Sequence, residues 1–113
     1  MNILISNRAH NHIKNIADFS AKISANYSNI VIQNIYSTIY SIKDAPYIGR
    51  YVPELSSKHF RERICGEYRI IYVVSEKDKT VYIRYIISSR QNSDLFFEVH
   101  KKDILNFLNR LFY

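Results

Sequence analysis

A chain of 113 residues with a formal net charge of +6 and 47% apolar residues is too apolar for a disordered segment and fits one domain with one modest core. The basic balance points to acidic partners, among them nucleic acid, an acidic protein or an anionic membrane surface. The lone Cys65 excludes an internal disulfide. No apolar run reaches the roughly 20 residues that span a bilayer, and the start Met1 to Arg8 lacks the build of a secretory signal, so a cytoplasmic address and no membrane partner are expected.

Asn2 to Ser6 form a short apolar run that reads as a first strand, and Asn7 is placed to cap a helix beginning near Arg8. Ala9, Ile13, Ile16, Ala17 and Ile23 recur mostly at intervals of three and four, which gathers them on one helical face opposite Lys14, Asp18 and Lys22. After a short break at Ser24 to Asn26, with Ser28 as a second capping residue, Ile32, Ile35, Ile39 and Ile42 make the stripe of a second helix. That helix must stop before Pro46, because the proline ring drives Ala45 out of the helical region. An antiparallel helical hairpin over about residues 8–43 follows.

Beyond Pro53 the period changes to two, and β-branched and aromatic residues dominate, which predicts three hairpin-linked antiparallel strands over about residues 58–88, turning at Gly66-Glu67 and at Ser75 to Lys79. Alternation puts Tyr68, Ile70, Tyr72 and Val74 on one face of the middle strand, with Arg69, Ile71 and Val73 on the other. By the same rule His59, Arg61, Arg63 and Cys65 share a face of the preceding strand, so guanidinium groups are expected to gather on one side of the sheet. In the connection before it, Gly49 is expected to permit a positive φ and Arg50 to pair with Glu54. A last helix opens at Ser93 or Asp94 and runs over about residues 94–112. Its stripe of Ile104, Leu105, Leu108 and Leu111 has to cover the sheet or bind a partner. The fold class is therefore α+β: an N-terminal strand, a helical hairpin packed on a small antiparallel sheet, and an extra C-terminal helix, in a single domain.

Other chemistries lack their residues. Four scattered histidines and one cysteine do not make a metal site, two glycines cannot build a phosphate loop, and no nucleotide or other cofactor is expected. Ten tyrosines could stack on bases, which leaves a non-catalytic RNA-binding module as one reading, although Tyr68, Tyr72 and Tyr85 alternate with Ile and Val as core residues do.

The ordered run Pro46-Tyr47-Ile48-Gly49-Arg50, Val52-Pro53-Glu54, Arg61-Glu62-Arg63, Gly66-Glu67-Tyr68-Arg69-Ile70-Ile71-Tyr72 and the later Arg90 resembles the RelE/ParE superfamily of bacterial type II toxins, across residues 2 to 96. The resemblance implies a growth-arresting toxin neutralised by a cognate antitoxin, whose acidic and apolar segment would suit this basic surface. It leaves two targets open: the ribosome and its messages, as in the RelE-like branch, or DNA gyrase, as in the ParE-like branch. For a RelE-like nuclease the resemblance implies a site of Arg61, Arg63, Arg69 and Arg90. Arginine can hold phosphate oxygens but keeps its own proton near neutrality, so an acid and a base must come from elsewhere. The tyrosine of that pattern falls on Phe96, which has no proton to give, so His59, Tyr68, Glu62 or His100 would have to take over, and His59, on the arginine face, is the best substitute. The alternative is that Arg61, Arg63 and Arg69 are strand arginines paired with Glu54, Glu62 or Glu67. The long helical hairpin and the Pro46-x-x-Gly49-Arg50 turn followed by Pro53-Glu54 lean toward the ParE-like branch.

Overall fold

In the computed structural model, which describes all 113 residues, a four-residue strand, β1 (Asn2–Ile5), leads into α1 (Asn7–Ala21) and α2 (Ala25–Asp44). Ser6, not Asn7, caps α1: its hydroxyl accepts from the Ala9 amide at 3.0 Å and donates to the Arg84 carbonyl at 3.0 Å. One hydroxyl thus ends the strand, starts the helix and ties both to a strand far along the chain. Ser24 likewise caps α2, by accepting from the Tyr27 amide at 2.9 Å. Ser28, read from sequence as a cap, is instead buried between the helices, where it donates to the Ala17 carbonyl at 3.0 Å and meets Ser20 at 3.0 Å. The apolar stripe holds for Ala9, Ile13, Ile35, Ile39 and Ile42, all buried, whereas Ile23 lies in the exposed turn between the helices. As Pro46 requires, α2 ends at Asp44 with Ala45 out of the helical region.

The meander forms as β3 (Phe60–Cys65), β4 (Tyr68–Ser75) and β5 (Thr80–Ser88), antiparallel in sequence. Gly66, at φ +59, makes the β3–β4 turn. Two strands flank this meander, the expected β1 and an unforeseen two-residue strand, β2 (Arg50–Tyr51). The short β2 pairs antiparallel with β3, and β1 pairs parallel with β5, giving the order β1-β5-β4-β3-β2. The sheet is mixed, not antiparallel throughout.

A bulge opposite Ile71 and Tyr72 puts one extra residue into β5. Before it, Val81 and Ile83 face the helical hairpin; after it, Ile86 takes that face while Tyr85 and Ile87 turn to the other. Strict alternation would have kept Val81, Ile83, Tyr85 and Ile87 together. The second face carries Phe60, Ile71, Val73, Tyr85 and Ile87, and it is covered by α3 (Ser93–Val99) and α4 (Lys101–Phe112). The expected single C-terminal helix is two, broken at His100. Asn92 caps α3 by accepting from the Leu95 amide at 3.0 Å, and Phe107 is buried where Leu105 was expected, Leu105 being half exposed. The sheet is thus a wall between two apolar clusters, with the hairpin on one side and the C-terminal helices on the other.

Candidate functional site

Arg69 projects from β4 toward the C-terminal helices, because Ile71 and Val73 share its face. There its Nη1 and Nη2 donate to the two oxygens of Glu54 at 2.6 and 2.7 Å, a bidentate pair, and its Nε donates to Glu62 at 2.6 Å. The guanidinium also lies 5.8 Å from the ring centre of Phe97 in α3. The Glu62 side chain is wholly buried, and its other oxygen accepts from Arg50 Nε at 2.5 Å. Two arginines and two carboxylates therefore form one neutral network joining β2, β3, β4 and the loop that carries Glu54. Its electrostatics are those of a mutual clamp: hydrogen bonds from Arg69 hold the Glu54 carboxyl at about 2, well below its usual range, and the same bonds push the Arg69 pKa further up. The expected Arg50–Glu54 pair is not made. The two residues are joined to Glu62 and Arg69 instead.

Arg61 and Arg63 stand on the opposite face, opposite Tyr72 and Ile70 in the β3–β4 register. Arg61 donates to the carbonyls of Gly49 at 2.8 Å and Tyr47 at 3.2 Å and to the Tyr51 hydroxyl at 3.1 Å, while its guanidinium lies 4.4 Å from the Tyr51 ring centre and 5.3 Å from that of Tyr47. The buried Tyr72 hydroxyl fastens the same loop, donating to the Pro46 carbonyl at 2.7 Å and accepting from the Gly49 amide at 3.1 Å. Gly49 is required here by this close approach and not by a positive φ: a Cβ on it would lie 2.3 Å from the Tyr72 hydroxyl and 2.6 Å from the Glu62 carbonyl oxygen.

The guanidinium groups are thus not gathered on one side. Arg61 and Arg63 face the hairpin side and Arg69 the other, and Arg90 lies past β5, exposed, with Glu67 at 3.4 Å. His59 does not join Arg61 and Arg63. It precedes the first residue of β3 and stacks on Phe112 of α4, ring centres 3.9 Å apart. Phe96 is a core residue, edge-on to Tyr85 and stacked on His100. Of the partners expected for these arginines, Glu54 and Glu62 pair with Arg69 and Glu67 with Arg90; neither Arg61 nor Arg63 has a carboxylate at ion-pair distance.

A second polar cluster was not foreseen. The bulge aims Arg84 and Tyr85 at α4, where Tyr85 donates to Asp103 and Arg84 lies 3.4 Å from the same carboxylate with its guanidinium 3.9 Å from the Phe107 ring centre. Burial opposes ionisation of Asp103, but Tyr85, Arg84 and Arg8 outweigh it and hold the carboxyl below its usual range; burial and Asp103 push Tyr85 up. Beside them His12 accepts from the Ile86 amide at 3.1 Å. Burial, then the charges of His100 and Arg8, lowers its pKa to about 4, so near neutrality it is an uncharged acceptor. The only sign of this cluster in the sequence was polar residues inside strongly apolar segments. No three His, Cys, Asp or Glu side chains converge to hold a metal ion, and no helix is long and apolar enough to cross a membrane.

A helical hairpin on a sheet with a parallel first strand and an antiparallel meander is the toxin fold of the RelE/ParE superfamily. The profile of the ParE toxin of the type II toxin-antitoxin system, parDE, matches residues 3–93, and the chain belongs to that family. It is accordingly a type II toxin, and its partner is a cognate antitoxin. The match ends at the first residue of α3, so nearly all of the C-terminal cover lies beyond it. Among solved structures, a chain of the chromosomal ParDE TA system from P. aeruginosa is similar, with a TM-score of 0.66 and 14% identity over 78% of this chain and 95% of that one. At that identity the likeness is one of fold. No curated protein matches the chain at a significant level.

Proposed function

We propose that this toxin acts in the cytoplasm by binding and holding DNA gyrase, as the ParE-like reading implies, and does not cut RNA. The observation that carries this reading is the separation of Arg61 and Arg63 from Arg69 by the thickness of the sheet. Cleavage by a 2′-hydroxyl needs phosphate-binding cations, a base and an acid converging on one phosphate. The Arg69 donors are instead taken up by Glu54 and Glu62. Of the hydroxyls beside Arg61, Tyr72 is pushed up by burial and Tyr47 by its bond to Glu76, so both hold their protons near neutrality. A protein whose arginines serve packing and surface recognition fits a poison that works by contact.

The test is to add the purified protein to gyrase and relaxed plasmid, and in parallel to induce it in growing bacteria and map message ends. Inhibited supercoiling with intact messages is the expected result. Messages fragmented within minutes, with supercoiling unaffected, would overturn the proposal.

A further inference from the structure

The surface around Arg61 combines three properties. It is apolar and exposed: Tyr47, Ile48 and Tyr51 are 51, 64 and 46% accessible. It carries unmatched charge, since Arg61 and Arg63 have no carboxylate partner while the neighbouring Arg50 is neutralised by Glu62. It is also held rigid: Tyr72 bolts both ends of the Pro46–Gly49 turn, and Arg61 is fixed by three hydrogen bonds and two ring contacts. Binding there orders little that is not already ordered, which removes a large part of the usual cost of association. The apolar tip of the helical hairpin, with Phe19, Ile23 and Ile30 exposed, has no comparable unmatched charge, its Asp18 and Lys22 being of opposite sign.

We infer that this Tyr47–Ile48–Tyr51–Arg61–Arg63 surface is the docking site for an acidic, apolar segment of the antitoxin. The inference rests on the toxin–antitoxin reading and adds to it the place and chemistry of contact. Charge complementarity selects the occupant: a carboxylate on the incoming segment meets two guanidiniums that no internal carboxylate pairs, the nearby Glu76 being bonded to the Tyr47 hydroxyl and to Lys79, and an apolar side chain beside it covers Ile48 and the tyrosine edges. Tyrosine and arginine are enriched at protein–protein hot spots, where lysine is depleted. Single-stranded nucleic acid fits less well, because Arg61 already covers one face of each tyrosine ring and two unmatched cations are few for following a phosphate backbone.

Arg63 and Ile48 have no internal side-chain partner, so Arg63→Glu with Ile48→Asp should fold as the parent does. The measurement is calorimetric titration with the antitoxin encoded beside the toxin, together with relief of growth arrest on co-expression. Arg110→Glu, on α4 across the sheet, serves as the control. The double variant should melt with the parent and bind roughly 100-fold more weakly, about tenfold per position. Its arrest should no longer be relieved, and Arg110→Glu should bind as the parent does. An affinity within twofold of the parent's would overturn the assignment. So would arrest lost with antitoxin affinity intact, which would give the surface to the target, or a single-stranded RNA oligonucleotide that loses binding while the antitoxin keeps it. A parent protein that binds no antitoxin would sink the toxin–antitoxin reading and this site together, an outcome distinct from a variant that binds normally.

Discussion

Arg69→Ala would leave the Glu62 carboxylate, wholly buried, with only the 63% exposed Arg50 to balance it, and would strip Glu54 of both bonds of its bidentate pair. Breaking a buried pair from one side costs about 3–5 kcal/mol, because the desolvated partner keeps its charge without compensation. A separate route gives a similar figure: Glu54 is held at about 2 against an ordinary 4.5, chiefly by Arg69, and at 1.36 kcal/mol per pKa unit that is about 3 kcal/mol. Both figures describe the same contacts and do not add. A loss of this size is a large part of the roughly 5–15 kcal/mol that holds a small domain together. Urea unfolding at pH 7 followed by circular dichroism should show a fall of about 3 kcal/mol or more, against about 0.5 kcal/mol for Arg63→Ala on the other face. The folded pKa of Glu54 is depressed, so the stabilisation is complete above pH 4.5 and is lost as pH falls toward 2; Arg69→Ala should lack this acid window. A loss below about 1 kcal/mol at pH 7 would refute the clamp. It follows that a loss of toxicity in Arg69→Ala reports unfolding before it reports chemistry.

Two other perturbations test the packing around the sites. Gly49→Ala drives a methyl group into the Tyr72 hydroxyl and the Glu62 carbonyl and should cost about 2 kcal/mol or more, read as a melting temperature lower by roughly 8 °C; an unchanged melting temperature would mean that the turn is not bolted as described. His12 has a folded pKa of about 4 against 6.5, so the unfolded chain takes up its proton first, and stability should fall as pH drops from 6.5 toward 4. His12→Gln, which keeps an acceptor for the Ile86 amide, should flatten that part of a urea-midpoint profile measured from pH 7 to 4, and a profile as steep as the parent's would remove His12 as its cause.

The helical hairpin could be read from the chain because its causes are local. The three-and-four spacing of Ala9, Ile13, Ile35, Ile39 and Ile42 and the stop before Pro46 act over a few residues each. The caps were misassigned by one and by four positions for a related reason: Ser6 and Ser24 compete with Asn7 and Ser28 on equal local chemistry, and packing of Ser28 against Ala17 and of Ser6 against Arg84 decides between them.

Alternation within β4 likewise determined that Tyr68, Ile70 and Tyr72 face one way and Arg69 the other, since successive side chains of a strand must point to opposite sides. What alternation lacks is any knowledge of the neighbouring strand. That Arg61 and Arg63 pair across from Tyr72 and Ile70, and so stand behind the sheet from Arg69, depends on register; that Tyr85 abandons Val81 and Ile83 depends on a bulge; and that β1 lies parallel to β5 depends on contacts spanning 78 residues. The family likeness was carried by short motifs in order and needed none of this. The sites did, because partners such as Glu54 for Arg69, or Phe112 for His59, are brought together only when burial of apolar area on both faces of the sheet selects one register among several that the local pattern allows.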